Sequence, residues 1–228
     1  MFDRWKWLKN HLRAGPLRTL DAGCGSGAFT FYAAKIGNEA VGISFDERNN
    51  DMARMRARIL RLPHTQFIQA DLRDLNGLSS PLGKFDQIIC CETIEHIKND
   101  KKLLIDLSAL LKPEGRLLLT TPFKHYKPLL GDTICEVENG GHVRWGYTFE
   151  DMKSLFLSCG LEIEGESYLS GFITQKLTNL MRRISRINPW FAWLVTFPFR
   201  IFQPLDPLLT KLTRYPHMTI GVMGVKRP

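Results

Sequence analysis

Five cysteines stand in 228 residues, Cys24, Cys90, Cys91, Cys135 and Cys159. An odd number without paired metal-ligand spacing fits free thiols in a reducing compartment better than a disulfide framework or a cysteine zinc site. No uninterrupted apolar stretch reaches the roughly 18 residues of a spanning helix. The opening MFDRWKWLKNHLRAG has no apolar core of signal-peptide length, so the expected location is cytoplasmic. Acidic residues are scarce in one place only. Residues 176–228 carry nine Lys/Arg against a single acid, Asp206, while residues 1–175 balance at 22 of each sign. The whole surplus of +8 therefore sits in the last 53 residues. Such a tail attracts nucleic acid, anionic lipid or an acidic substrate, or is simply a solvated surface.

What is present is an alternation of short β-type runs with helical stretches from Thr19 to about Leu161, the pattern of a parallel sheet covered on both faces. Strands are expected at RTLDAG, EAVGIS, TQFIQA, FDQIICC, GRLLLTT, LEIEGESYL and MTIGVMGV. Asp46 is placed to cap a helix whose body carries Met52, Met55, Ile59 and Leu62 at helical spacing. Thr148 opens another, with Asp151 three residues on as an imperfect capping box. The fold class is thus a doubly wound, mostly parallel seven-stranded α/β sheet with a helical insertion between its last two strands. Residues 1–171 and 217–228 form the main domain and 172–216 the insertion, where a short hairpin would be usual. Its prolines at 189, 198, 204 and 207 argue against one continuous helix.

DAGCGSGAF follows the first strand and opens a helix. Gly23, Gly25 and Gly27 permit a tight turn and close backbone approach to a ligand beside exposed helix amides. Read as Gly23-x-Gly25-x-x-Ala28 the loop also satisfies a dinucleotide fingerprint, so a nicotinamide enzyme competes. Asp21 opposes it: a carboxylate aimed at the loop suits a ligand bearing an ammonium and a sulfonium better than a pyrophosphate.

The stretch resembles motif I of the class I S-adenosylmethionine-dependent methyltransferases, and four later segments agree in order. The resemblance covers residues 18–168 and implies S-adenosylmethionine (SAM) as cofactor. It assigns the glycine loop with Cys24, a ribose contact at Ser44 or Asp46 in VGISFDER, an adenine contact at Asp71 with Leu72 beside it in QADLRDL, and Cys91 on FDQIICCETIEHI. LKPEGRLLLTTP resembles the fifth-strand motif, with Glu114 where the family more often has glycine. The Glu95-His96 pair is typical of small-molecule members, which makes His96 a candidate general base. His142, on the glycine-flexible ENGGHVRWGYTFED, is an equal candidate, with Arg144 and Tyr147 as substrate residues. No metal is expected.

The Asn/Asp-Pro-Pro-aromatic tetrad of amino-methylating nucleic-acid enzymes is absent, since Cys91-Glu92-Thr93-Ile94 stands in its place, and Cys91 lacks the preceding proline of a cytosine-C5 nucleophile. Nucleic acid is therefore a lesser expectation than a small lipophilic acceptor (isoprenoid, acyl or polyketide-like, or a lipid-linked glycan). The alternatives are an RNA methyltransferase and a non-catalytic SAM-fold binder. Trp190, Phe191, Trp193, Phe197, Phe199 and Phe202 lie among Arg182, Arg183, Arg186 and Arg200. These rings suit a lid over the acceptor, a peripheral membrane contact, a second small core or a homodimer interface.

Overall fold

The computed structural model describes residues 2–75 and 82–227; Met1, 76–81 and Pro228, all within the expected main domain, lie outside the described residues. Helix α1 (Phe2–His11) leads into β1 (Arg18–Ala22), α2 (Ala28–Lys35), β2 (Glu39–Ser44), α3 (Glu47–Ile59), β3 (Thr65–Gln69) and β4 (Phe85–Cys91). A 3-10 turn at Ile94–His96 follows, then α4 (Asp100–Leu110), β5 (Leu111–Pro122), α5 (Phe149–Leu157) and β6 (Leu161–Leu169). The insertion contributes α6 (Phe172–Ser185), α7 (Pro189–Thr196), a 3-10 stretch (Pro198–Leu205) and α8 (Asp206–Thr213) before β7 (Thr219–Lys226).

The strands order as β3-β2-β1-β4-β5-β7-β6, parallel throughout except that β7 runs antiparallel to both neighbours. This is the expected doubly wound seven-stranded fold. Successive β4 residues face opposite sides: Ile88 and Cys90 join the core under α4 and α5, while Ile89 packs with Trp7 and Leu8 of α1 and Ala33 of α2. Apolar side chains on both faces of a strand are what a sheet covered on both sides requires.

Local chemistry sets several boundaries. Asp46 accepts from the Arg48 amide and caps α3. Thr148 and Asp151 complete a reciprocal capping box at α5. The buried face of α3 differs from the one its apolar spacing suggests. Met52, Met55 and Ile59 are exposed, and Asn50, Ala53 and Ala57 are buried. Alanines let the helix axis come close to the sheet, and Asn50 Nδ2 donates to Ser44 O, so the small stripe is the one that packs.

In the insertion the chain breaks at its prolines, with Pro189, Pro198 and Pro207 each in a first turn. Asp206, the only acid there, is buried, and its carboxylate accepts from Gly171 N (2.9 Å), Ile173 N (2.7 Å), Thr174 N (3.2 Å) and Thr174 Oγ1 (2.6 Å). One carboxylate from α8 therefore satisfies the open amides at the N-terminus of α6, a favourable place for negative charge.

A candidate active site at the carboxyl edge of the sheet

The strands β1, β2 and β4 end at one edge, and the glycine loop crosses it. The Gly23 and Cys24 amides donate to Ile43 O at 3.0 and 2.9 Å, tying the loop to β2. Gly23 has φ 86°, and a Cβ there would overlap Thr93 Oγ1 just after β4. Gly25 has φ 51°, yet a Cβ there would meet no protein atom within 4 Å. The space above Gly25 is thus free for a ligand. Gly27 caps α2 without a side chain, and of the first-turn amides Thr30 N is taken by Asp21, which leaves those of Ala28 and Phe29 without a side-chain acceptor beside that space. An adenosyl ligand fits this cradle.

Asp21 plays a different part from the one its sequence position suggests. It is 2% exposed, and its Oδ2 accepts from Thr30 N (3.0 Å) and Thr30 Oγ1 (2.7 Å), locking the strand end to α2. Burial raises its pKa to about 6, against the lowering effect of the Thr30 bonds. Cys24 is buried, and burial with the nearby Asp21 charge pushes its thiol far up. Ser44 is buried at the end of β2. Asp46 is spent on Arg48, whose side chain holds it below the usual carboxylate range. Asp71 sits past β3 in a bidentate pair with Arg73, which lowers its pKa, and Leu72 belongs to the main core. Cys91 packs toward Trp7 and Leu8, and burial lifts its thiol to about 12, so it supplies no thiolate.

Beside the cradle lies a cavity of about 620 Å³, bounded by Glu92 after β4, Pro122 at the end of β5 and Thr219 at the start of β7. Its far wall is the insertion, through Thr174 and Met181 of α6 and Ile201 of the 3-10 stretch. Glu92 adopts a left-handed φ of 50°, uncommon for a residue with a side chain and concentrated at functional sites. It accepts from Thr120 Oγ1 at 3.2 Å and pairs with Arg4 of α1 at 2.9 Å. Thr93 next to it touches the glycine loop through Ala22 O. Cofactor cradle and cavity therefore meet at Glu92-Thr93.

Both histidine candidates stand at this junction. Their rings lie 4.9 Å apart and nearly perpendicular, and His142 lines the cavity. Burial, with His96 adding, lowers the His142 pKa, which keeps its imidazole neutral and able to accept a proton. His96 Nδ1 lies 3.0 Å from Gly141 O. Glu95 is fully buried, with one oxygen accepting from Thr121 Oγ1 at 3.3 Å. Burial first, then the Glu92 charge, raises its pKa well above the usual range. The loop carrying His142 is held by the Val143 amide on Glu95 O (2.9 Å).

Arg144 and Tyr147 do not reach this cavity. Arg144 pairs with Asp100 and donates to Ile97 O, while Tyr147 OH donates to Asp100 at 2.8 Å. They line a separate surface cavity on the α4–α5 side and brace the loop. Arg4, Glu92 and the Tyr126–Asp132–Arg182 chain (2.6 and 2.5 Å), which ties the β5–α5 segment to α6, are the cavity groups that sequence reasoning missed. An acid directly after β4 was the one local signal for Glu92.

Comparison with known proteins gives the same picture. A methyltransferase domain family matches residues 3–166. The ubiquinone biosynthesis O-methyltransferase of Coxiella burnetii (strain Dugway 5J108-111) is 28% identical over 127 residues, covering 56% of this chain and 53% of that protein. The chain thus spans about half the length of the curated relatives it matches. Phosphoethanolamine N-methyltransferase 2 of Haemonchus contortus, solved with S-adenosyl-L-methionine, superposes with a TM-score of 0.68 at 18% identity, over 99% of this chain and 52% of that one. The [4+2]-cyclase SpnF superposes at 0.65 and 19%, over 98% and 79%. With the glycine cradle, the strand order and a family match over most of its length, this chain belongs to the methyltransferase domain family.

Proposed function

We propose that the enzyme methylates a hydroxyl oxygen on an amphiphilic, membrane-associated acceptor. The observation that carries this reading is the shape of the cavity: one end holds Glu92 and His142 beside the cofactor cradle, and the other is walled by an insertion whose outer face is apolar and cationic. Methyl transfer from a sulfonium is an in-line displacement, so the enzyme must chiefly align the acceptor oxygen, exclude water and receive one proton. His142, neutral and in the wall, is the group placed to receive it. The relatives named as O-methyltransferases in ubiquinone biosynthesis support an oxygen on a lipophilic molecule.

The six rings of residues 190–202 do not form a second small core. Trp190 is 83% exposed, and the others range from 43% to 55%. Ile187, Leu194 and Ile201 add to the same surface. An exposed apolar area this dense marks an interaction site. Because Asp206 is buried under α6, the outer face carries no carboxylate. Arg183, Arg186 and Arg200 form no ion pair among the described residues, whereas Arg182 is paired with Asp132 and is not a free cation. Rings among unneutralised arginines suit the headgroup region of an anionic bilayer. No helix among the described residues is long and apolar enough to cross it.

Two measurements test the reading. Purified protein should float with phosphatidylglycerol-containing liposomes at low salt and stay behind with purely zwitterionic ones; equal behaviour removes the membrane. Labelled SAM with a bacterial lipid extract should put label into the organic phase, and His142→Ala should reduce this by roughly two to four orders of magnitude. SAM binding without any transfer would instead favour a role other than methyl transfer on the same fold, which also carries the [4+2]-cyclase SpnF.

A further inference from the structure

The charges lining the cavity at the sheet's carboxyl edge do not balance. Among the described residues they are Arg4, Arg182 and Arg200 against Glu92 and Asp132. Arg4 pairs with Glu92 at 2.9 Å and Arg182 with Asp132 at 2.5 Å, so each carboxylate is matched by one guanidinium. Arg200 forms no ion pair and no side-chain hydrogen bond among the described residues, although it lines the same cavity. With the His142 imidazole neutral, one positive charge is left over.

The backbone sets a second polar group beside it. Pro198–Leu205 is a 3-10 stretch, and three residues per turn eclipse the side chains at i and i+3. Arg200 and Gln203 therefore share one face, and both line the cavity. Gln203 is half-buried, and its amide makes no hydrogen bond among the described residues either. Thr174, Thr178 and Thr196 stand in the wall built by the insertion, but they spend their hydroxyl protons on Asp206, on Thr174 O and on Ala192 O. The guanidinium and the amide are thus the uncommitted donors of that wall. Arg200 is exposed, so the pair stands at the cavity's mouth, with Glu92 and His142 at the sheet end. A planar guanidinium offers two parallel N–H groups to the oxygens of a carboxylate or phosphate, and an amide N–H beside it adds a third donor.

We propose that the acceptor carries an anionic group, a carboxylate or a phosphate, which Arg200 and Gln203 bind at the mouth while the hydroxyl lies at the sheet end. The inference rests on the hydroxyl-acceptor reading above and narrows it. One surplus charge suits one anionic group. Holding that group at the mouth fixes which hydroxyl of the acceptor reaches the methyl donor, since an in-line displacement depends on alignment.

The probes are decyl phosphate, decanoate and decan-1-ol, kept below micellar concentration and titrated calorimetrically into full-length protein with S-adenosylhomocysteine present. At least one of the anions should bind about tenfold to a hundredfold more tightly than the alcohol, the effect of hydrogen bonds to a charged group. Arg200→Gln should bring that anion to the alcohol's affinity and Gln203→Leu should weaken it severalfold, with the affinities for the alcohol and for S-adenosylhomocysteine unchanged. Arg186→Gln, which removes an equal charge from the outer face, should keep the preference, and Thr178→Trp, which fills the cavity, should abolish binding of all three probes. No preference in the wild type, a preference that survives Arg200→Gln, or one lost equally in Arg186→Gln overturns the site. In the lipid-extract assay the labelled product should be retained on an anion exchanger, then released by acetic acid if the group is a carboxylate and only by salt if it is a phosphate. Label that passes straight through shows a neutral acceptor and overturns the proposal while leaving the hydroxyl-acceptor reading in place. Absence of any label defeats that reading instead, and the probe titrations then decide Arg200 and Gln203 on their own.

Discussion

Replacing Asp206 by alanine perturbs the insertion at its root. The carboxylate takes four donors from the start of α6, at 2.6 to 3.2 Å, with Thr210 Oγ1 a fifth at 3.3 Å. Hydrogen bonds to a charged group contribute about 1.5–3 kcal/mol each when measured singly, but they share one desolvation cost and do not add. Removal of one side of a buried charged network typically costs about 3–5 kcal/mol, and we expect the loss to fall in that range. It should be local. The donors belong to 171–174 and the acceptor to α8, so α6 should undock from α8 while the sheet keeps its pairing. Hydrogen exchange followed by mass spectrometry should show protection lost across 171–178 and 206–213 and retained in β1, β4 and β5. SAM affinity should remain, and liposome flotation should weaken because the outer face is no longer held together. Asp206→Asn, with one acceptor oxygen left, should fall in between. If Asp206→Ala cost less than about 1 kcal/mol with unchanged exchange at 171–178, the carboxylate would not be what anchors the insertion.

Three other outcomes follow from the cofactor side. Gly25→Arg should abolish SAM binding in calorimetry while lowering folding stability by only about 1–2 kcal/mol, the cost of a left-handed residue, since no protein atom opposes its Cβ; retained SAM binding would mean that the ligand does not pass over this loop. Asp71→Ala should weaken SAM by about 1–3 kcal/mol if the carboxylate accepts from the adenine amino group while still paired with Arg73, and unchanged affinity would remove Asp71 from the site. Asp21 takes up its proton more readily folded, at about 6, than unfolded, at 3.8. Its contribution is therefore whole below pH 3.8 and lost as pH rises through 6, worth about 3 kcal/mol at most. Asp21→Asn should flatten that part of the denaturation-versus-pH curve, and an unaltered slope would show that Asp21 is not the titrating group.

Local chemistry was enough to determine much of this protein. The runs EAVGIS, FDQIICC and LEIEGESYL became β2, β4 and β6 at their expected boundaries, because a strand within or beside a buried sheet is specified by its own apolar and β-branched residues. The caps at Asp46 and at Thr148–Asp151 are contacts over two or three residues, and glycine needs no partner to adopt a positive φ. The left-handed turn of the glycine loop was legible for the same reason. Only the tertiary structure decided what depends on distant segments meeting. The spacing of Met52, Met55 and Ile59 could not reveal that α3 would pack by its alanines, since that choice depends on how closely the sheet approaches. Nor could the chemical character of Asp21, Arg144 and Tyr147 show that Thr30 and Asp100 would claim their polar atoms. The cavity at the sheet's carboxyl edge draws on Arg4, Glu92, His142, Thr174 and Thr219, residues brought to one edge by parallel crossovers and one antiparallel strand. The final division lies in the insertion: composition announced its charge and its rings, but their exposure was settled only when Asp206, the one acid among them, folded inward against α6.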